Sequence, residues 1–362
     1  MIKKLTLEEF TVFQNASLEF SPGMNVIIGE NGLGKSHILK LAYVLHWISH
    51  EVFKKENKQD SDILSTSNDI LSKSIADKLL KMFRPEHLGR LVHRRKGRNK
   101  SKISANFSDN KKGIKFSFST NSKTEVVLEK FDVSLPAPSV FVPAGDVISM
   151  MPYLKDAWSK YPNMLDAGYN DLGAFLDKTV PVGPPPGEIS NVIKEVENVL
   201  RGKVVLENGR FYLRIKEEGK MEMPLVAEGF RKIAMLGHIV ANRSIQSNSL
   251  LLWDEPECNL NPMLIRSLAA VLTALAANGT QIIIATHSLF LLRELDLCER
   301  SRKQNKTESR YFALRKTDNS GIAIDVYDNV EDLSPLASLE AEIEQSERYM
   351  DEGSVEWVAD NA

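Results

Sequence analysis

Gly29-Glu30-Asn31-Gly32-Leu33-Gly34-Lys35-Ser36 fits the pattern G-x-x-x-x-G-K-[ST], and its surroundings fit as well. A short apolar strand, Met24 to Ile28, precedes it, and an apolar-periodic helix, His37 to Trp47, follows at once. Strand, loop and helix in that order form the context in which this pattern cradles a polyphosphate. The glycines let the backbone wrap closely, so that successive N–H groups point inward at the anion. The helix adds the positive end of its dipole. In such a loop Lys35 faces the β- and γ-phosphates, and the Ser36 hydroxyl completes the shell of a Mg²⁺ ion. A glycine-rich turn alone would need neither the strand nor the Lys and Ser.

The second half of the chain supplies what such a loop lacks by itself. Ser249 to Glu255 is an apolar run ending in two adjacent carboxylates, and it reads as a parallel strand buried on both faces. Asp254 at its tip is the candidate holder of the metal's water shell. Glu255, one residue on, is placed to take a proton from an attacking water. Gln281 to Ser288 is another apolar strand with His287 just past its end. Ligands in open α/β sheets sit outside the carboxyl ends of the strands, and Lys35, Asp254, Glu255 and His287 all lie there.

At this point the chain resembles the ABC-type ATPase heads of the SMC, RecF-like and OLD-like class. The resemblance rests on the loop Gly29 to Ser36, the strand Leu250 to Glu255, the following Pro256 to Pro262 as D-loop, and Thr286-His287-Ser288 as switch loop. Ile2 to Phe10, with Phe13 and Leu18-Glu19-Phe20, matches the opening strands of the class. It implies an α/β fold, that of an ABC-type P-loop NTPase with a mostly parallel core sheet, a flanking antiparallel sheet and a helical insertion. It implies ATP and Mg²⁺ held between two subunits, with Glu255 and His287 catalytic and Ser36 and Asp254 toward the metal. The family's Leu-Ser-Gly-Gly signature, lent to the site of the opposite subunit, is degenerate here. Its counterpart is Ala227, Glu228, Gly229 and Phe230, ahead of an apolar helix from Ile233 to Val240. The glutamine loop, expected near Val140 to Asp146, has no Gln; Asp146 stands there as either a metal-water contact or a helix cap.

The expected organisation is an ATPase head over residues 1–330, interrupted by an inserted helical and antiparallel subdomain at 50–204, with an acidic tail at 331–362. Within the insertion, strand-like alternation runs through Ile103 to Phe107, Ile114 to Phe118 and Thr124 to Phe131. Asn208-Gly209 reads as a hairpin turn between Val204 to Leu206 and Phe211 to Ile215. No heptad array is present, which removes an SMC-type coiled-coil arm.

Charge and composition narrow the partners. Hydrophobic residues make up 43% and charged ones 26%, as in an ordinary globular protein, so membrane and disordered classes are disfavoured. The longest uncharged apolar run, Ser267 to Ala277, is too short to span a bilayer, and the reading is cytoplasmic. Two cysteines, Cys258 and Cys298, form neither a disulfide framework nor a metal cluster. The run Arg84 to Lys102 holds Arg90, Arg94, Arg95, Lys96 and Arg98 opposed only by Glu86; it is either a grip for nucleic-acid phosphates or a solvated loop. The tail places Leu336, Leu339 and Ile343 on one helix face, for a partner protein or for the chain's own core.

No nuclease or second catalytic centre is legible. Three roles are therefore expected in order. The first is a sensor or regulatory ATPase of a bacterial anti-phage defence or toxin–antitoxin module, acting as a dimer or higher oligomer on a separately encoded effector. The second is a RecF-like DNA-repair ATPase. The third is a transporter subunit, placed last because the glutamine loop and the intact signature are missing.

Overall fold

The computed structural model describes residues 1–57, 67–108, 112–161, 164–183, 185, 187–302, 308–317, 321–333 and 344–350. Fourteen strands and eight principal helices are assigned among them. The chain opens with β1 (Ile2–Phe10), β2 (Phe13–Glu19) and β3 (Met24–Gly29), then α1 (Lys35–Asn57) and α2 (Asn68–Phe83). Next come β4 (Lys100–Phe107), β5 (Gly113–Ser119), β6 (Val127–Phe131) and β7 (Ser139–Val142). A helical stretch follows, α3 (Met151–Lys160), α4 (Ala167–Leu176) and α5 (Gly187–Leu200), then β8 (Gly202–Glu207), β9 (Arg210–Ile215) and β10 (Gly219–Glu222). The last part holds α6 (Glu228–Ala241), β11 (Leu250–Asp254), α7 (Pro262–Ala277), β12 (Gln281–Thr286), α8 (Leu289–Ser301), β13 (Ser309–Lys316) and β14 (Ile322–Tyr327).

The core is a six-stranded sheet in the order β14-β13-β3-β12-β11-β7, parallel throughout except for β14 at one edge. Its central strands β3 and β12 are buried at every residue. Side chains alternate across a strand, so each strand feeds two cores. Ile27, Leu250, Leu252, Ile283, Ala285, Phe312 and Leu314 pack on one face, with α1 and α2. Val26, Ile28, Leu251, Trp253, Ile282, Ile284 and Tyr311 pack on the other, with α5 to α8. Continuous apolar runs are what such double cover demands.

A five-stranded antiparallel sheet, β2-β1-β4-β5-β6, flanks the core, and a third small sheet is β10-β9-β8. Gln281 joins the first two. Its side chain is fully buried, accepts from Ile2 N at 2.9 Å and donates to the carbonyls of Ile2 and Ser21, both at 2.8 Å. The β8–β9 hairpin turns at Asn208 (φ +50°) and Gly209 (φ +74°), left-handed values that Asn and Gly tolerate.

Three helices are stitched by one buried cation. Lys78 of α2 is 5% exposed, pairs with Asp171 of α4 at 2.5 Å and sits 3.8 Å above the Trp47 ring of α1. Tyr43 of α1 donates to the same carboxylate at 2.7 Å.

Within the segment 50–204, β7 pairs in parallel with β11 of the core sheet and β4 pairs with β1. Helix α1 runs ten residues past Trp47 because Ile48 and Val52 continue its buried stripe. Of the expected tail, 334–343 and 351–362 lie outside the described residues, and 344–350 is helical and exposed.

Candidate active site

The neighbouring parallel strands β3, β12 and β11 release their carboxyl ends side by side, and five of the expected site residues emerge there. The loop after β3 bends through Gly29 (φ +154°), Gly32 (φ +83°) and Gly34 (φ +89°). Gly34 is glycine for a second reason: a Cβ would lie 2.6 Å from Val12 Cγ2 and 2.8 Å from two ring carbons of Phe13. Lys35 opens α1 and its ammonium donates to the carbonyls of Gly29 at 2.6 Å and Glu30 at 3.0 Å. Burial pulls its pKa down, against the opposing carboxylates of Glu255, Asp254, Glu257 and Glu30. A short polyphosphate entering the loop would replace those carbonyls with stronger acceptors.

Ser36 Oγ donates to Asp254 Oδ1 at 3.0 Å, so the two residues expected at a metal are in contact. Burial raises the Asp254 pKa, the Ser36 hydrogen bond opposes it, and the adjoining Glu255 raises it further. A hydroxyl and a carboxylate side by side suit a hard cation such as Mg²⁺. Among the described residues no cluster of three or more His, Cys, Asp or Glu could hold a metal by itself. Oxygen donors from a nucleotide and water would have to complete such a shell.

Glu255 stands in the left-handed region (φ +47°), with its N–H donating to Ala285 O of β12 at 2.9 Å. Such a backbone costs about 1–3 kcal/mol and is held only where the surroundings fix it. His287 is half exposed, and its Nδ1 lies 3.6 Å from Glu255 Oε1 and 3.6 Å from Glu257 Oε1. Lys35, Ser36, Asp254, Glu255 and His287 thus share one face.

The degenerate signature sits at the start of α6. Ala227 is its N-cap and makes no side-chain cap bond. Glu228 accepts from Asn259 Nδ2 at 2.7 Å, and Gly229 lies so close to α7 and the loop before it that a Cβ would meet Leu264 Cδ1 at 2.8 Å and Asn259 O at 3.2 Å. Phe230 packs half-buried against the α6 side of the core. One turn on, Lys232 is 3% exposed and reaches the Glu255 carbonyl at 3.5 Å. Asp146 accepts from Ser149 Oγ at 2.6 Å, a local turn bond, and also pairs with Arg231 Nε of α6 at 2.6 Å. That tie between the glutamine-loop position and the signature helix, 85 residues apart, leaves no local trace in the sequence.

The basic run is opposed by more than Glu86. Arg90 pairs with Glu86 at 2.8 Å, Arg95 with Glu9 at 3.1 Å and Lys102 with Glu8 at 2.7 Å. The β1–β4 register, which sets Glu8 opposite Lys102, brings in these distant carboxylates. Arg94, Lys96 and Arg98 are exposed. A cavity of about 730 Å³ separates this run from the phosphate loop, lined by Thr11, Val12, Gly32, Leu33, His37, Arg90 and Arg94 among others. Both cysteines are free thiols. Among the described residues no helix is long and apolar enough to cross a membrane.

Comparison with known proteins bears on the family and the fold. Residues 24–293 match the family described as "AAA domain, putative AbiEii toxin, Type IV TA system". Shorter stretches match DNA repair protein RecN of Xylella fastidiosa, 51% identical over 39 residues (11% of this chain, 7% of that protein). DNA replication and repair protein RecF of Renibacterium salmoninarum is 42% identical over 52 residues (14% and 13%). Structural maintenance of chromosomes protein 6 of Dictyostelium discoideum is 27% identical over 142 residues (38% and 12%). The chain therefore spans no more than 13% of the length of these relatives. In fold it is similar to the SMC head bound to the C-winged helix domain of ScpA, with a TM-score of 0.57 at 13% identity, covering 91% of this chain and 98% of that one.

Proposed function

Because the chain belongs to this AAA-domain family and has the fold of an SMC-type ATPase head, we propose that it binds and hydrolyses ATP at a site shared between two copies. The observation that carries the proposal is the meeting of Lys35, the Ser36–Asp254 contact at 3.0 Å, Glu255 and His287 at the ends of adjacent parallel strands. The amides of Gly29 to Ser36 and the Lys35 ammonium grip the β- and γ-phosphates. Ser36 and Asp254 would hold Mg²⁺, which when bound neutralises phosphate charge. Glu255 orients a water for in-line attack on the γ-phosphorus. The bond to the β–γ bridging oxygen breaks as the new P–O bond forms, ADP leaves, and Glu255 receives the water's proton. His287 contacts the γ-phosphate oxygens. The second copy supplies Ala227 to Phe230, where backbone N–H groups at the start of α6 serve in place of the missing Ser hydroxyl.

As biological role we propose the regulatory ATPase of a bacterial defence or toxin–antitoxin complex acting on a separate effector protein, supported by the family match, whose description names a Type IV TA system. A RecF-like repair ATPase is the second reading, favoured by the exposed Arg94, Lys96 and Arg98, of which Arg94 lines the cavity shared with the phosphate loop. Purification of the chain together with its neighbouring gene products separates them. Stoichiometric co-elution of an effector supports the first. Isolation with DNA alone, released steeply by salt, replaces it with the second.

A further inference from the structure

Glu257 follows the catalytic carboxylate by two residues, and its environment is unlike that of an ordinary loop glutamate. It is 7% exposed, although a carboxylate withdrawn from water is costly unless hydrogen-bonded or paired. Among the described residues no ammonium or guanidinium lies within ion-pair distance of it. Its contacts run instead to the switch loop: Oε1 accepts from Thr286 Oγ1 at 2.5 Å and from the His287 N–H at 3.3 Å. The same oxygen is 3.6 Å from His287 Nδ1, as is Glu255 Oε1. The second oxygen, Oε2, is buried and has no hydrogen-bond partner among the described residues.

From this geometry we infer that Glu257 is a positioning residue for hydrolysis, clamping the Thr286–His287 loop so that the imidazole stands beside Glu255 and faces the nucleotide. The inference rests on the roles proposed above for Glu255 and His287. The loop after β11 carries both carboxylates, and the loop after β12 carries the histidine; the two strands pair in parallel and end side by side. Strand pairing fixes the distance between the loops but leaves the ring free to turn about its side-chain bonds. The Thr286 hydroxyl and His287 amide bonds fix the backbone that bears the ring. The carboxylate facing Nδ1 turns the other nitrogen, Nε2, away from the loop. A contact of 3.6 Å is too long for a hydrogen bond. Catalytic hydrogen bonds often tighten only in the loaded complex, and one nitrogen midway between two carboxylates is placed to do so.

The test uses the full chain with Glu257→Gln, which keeps the side chain's shape and one acceptor, and with Glu257→Asp, which keeps the charge and withdraws it. Three quantities are read: affinity for a fluorescent ATP analogue, kcat and KM for ATP, and the imidazole ¹⁵N resonances of His287, assigned by their loss in His287→Gln. We expect kcat to fall by about 10- to 100-fold in Glu257→Gln, the scale on which an outer partner orienting a functional histidine acts. KM and affinity should stay within about twofold, the His287 resonances should shift, and Glu257→Asp should recover part of kcat. Wild-type kcat with unmoved His287 resonances in Glu257→Gln overturns the inference. So does a loss of kcat that only follows a loss of ATP affinity. Should the wild-type chain bind ATP yet release no phosphate, the hydrolytic reading falls, while the His287 resonances still decide whether Glu257 sets the ring.

Discussion

Alanine at Gly34 and at Gly32 separates two costs in the phosphate loop. Both glycines hold positive φ, +89° and +83°, where an L-residue loses about 1–2 kcal/mol. At Gly32 that is the whole cost, because among the described residues no atom beyond its chain neighbours lies within 4 Å of the added Cβ. At Gly34 the methyl would stand 2.6 Å from Val12 Cγ2 and 2.8 Å from the Phe13 ring, about 1 Å inside ordinary carbon contact. Val12 is only partly buried and can give way, but Phe13, the first residue of β2, is fully buried in the core and cannot. Overpacking a fixed core group costs about 1–3 kcal/mol more. Gly34→Ala should therefore destabilise by about 2–5 kcal/mol against about 1–2 for Gly32→Ala. Urea unfolding of the nucleotide-free chains at equal m-value measures the difference. Equal destabilisation of the two variants would refute the close-packing argument and leave backbone strain alone.

Lys78→Met removes the cation between Asp171 and the Trp47 ring; because Asp171 keeps its Tyr43 bond and some water, the expected loss is about 3 kcal/mol, at the low end for a broken buried pair. Calorimetry of Lys78→Met and of Lys78→Met/Asp171→Leu checks it, the double variant recovering part of the loss; an unchanged Tm in the single variant contradicts the stitch. Acid should weaken the fold through His46, whose pKa is held well below the usual histidine value by burial first and then by the Met1 ammonium and His50. The sign follows from proton binding: below about pH 6.5 the unfolded histidine takes a proton that the native one refuses, so stability is full above that pH and falls by up to about 1.4 kcal/mol per unit beneath it. His46→Leu should narrow the drop in Tm between pH 7.5 and 5.5, and an identical drop would show that the acid response lies elsewhere.

The parts legible in the sequence are those that local patterning determines. The runs giving β3, β11 and β12 are apolar because both faces are covered; β3 ends on Gly29, where the glycine loop begins, and β11 and β12 end on the polar residues Asp254 and Thr286. The hairpin at Asn208-Gly209 was equally legible because its turn needs left-handed residues. Pairing across distance was not. Gln281 reads as the first residue of an apolar strand, yet its side chain fastens β1 to the core sheet. Strand β13 escapes a pattern search because its ends are charged, Arg310 and Lys316, and only Tyr311 to Leu314 are buried. In the sequence the basic run is opposed only by Glu86, because Glu8 and Glu9 lie some ninety residues upstream. Glu257 carried no mark beyond following Pro256, since its role depends on where Thr286 and His287 arrive.

The account is tested most directly by phosphate release and ATP retention measured side by side for the wild-type chain, Lys35→Ala and Glu255→Gln with Mg²⁺. It predicts release by the wild type and loss of ATP binding in Lys35→Ala. Glu255→Gln should retain ATP at wild-type affinity while releasing phosphate at least about 100-fold more slowly. Turnover at the wild-type rate in Glu255→Gln would contradict it.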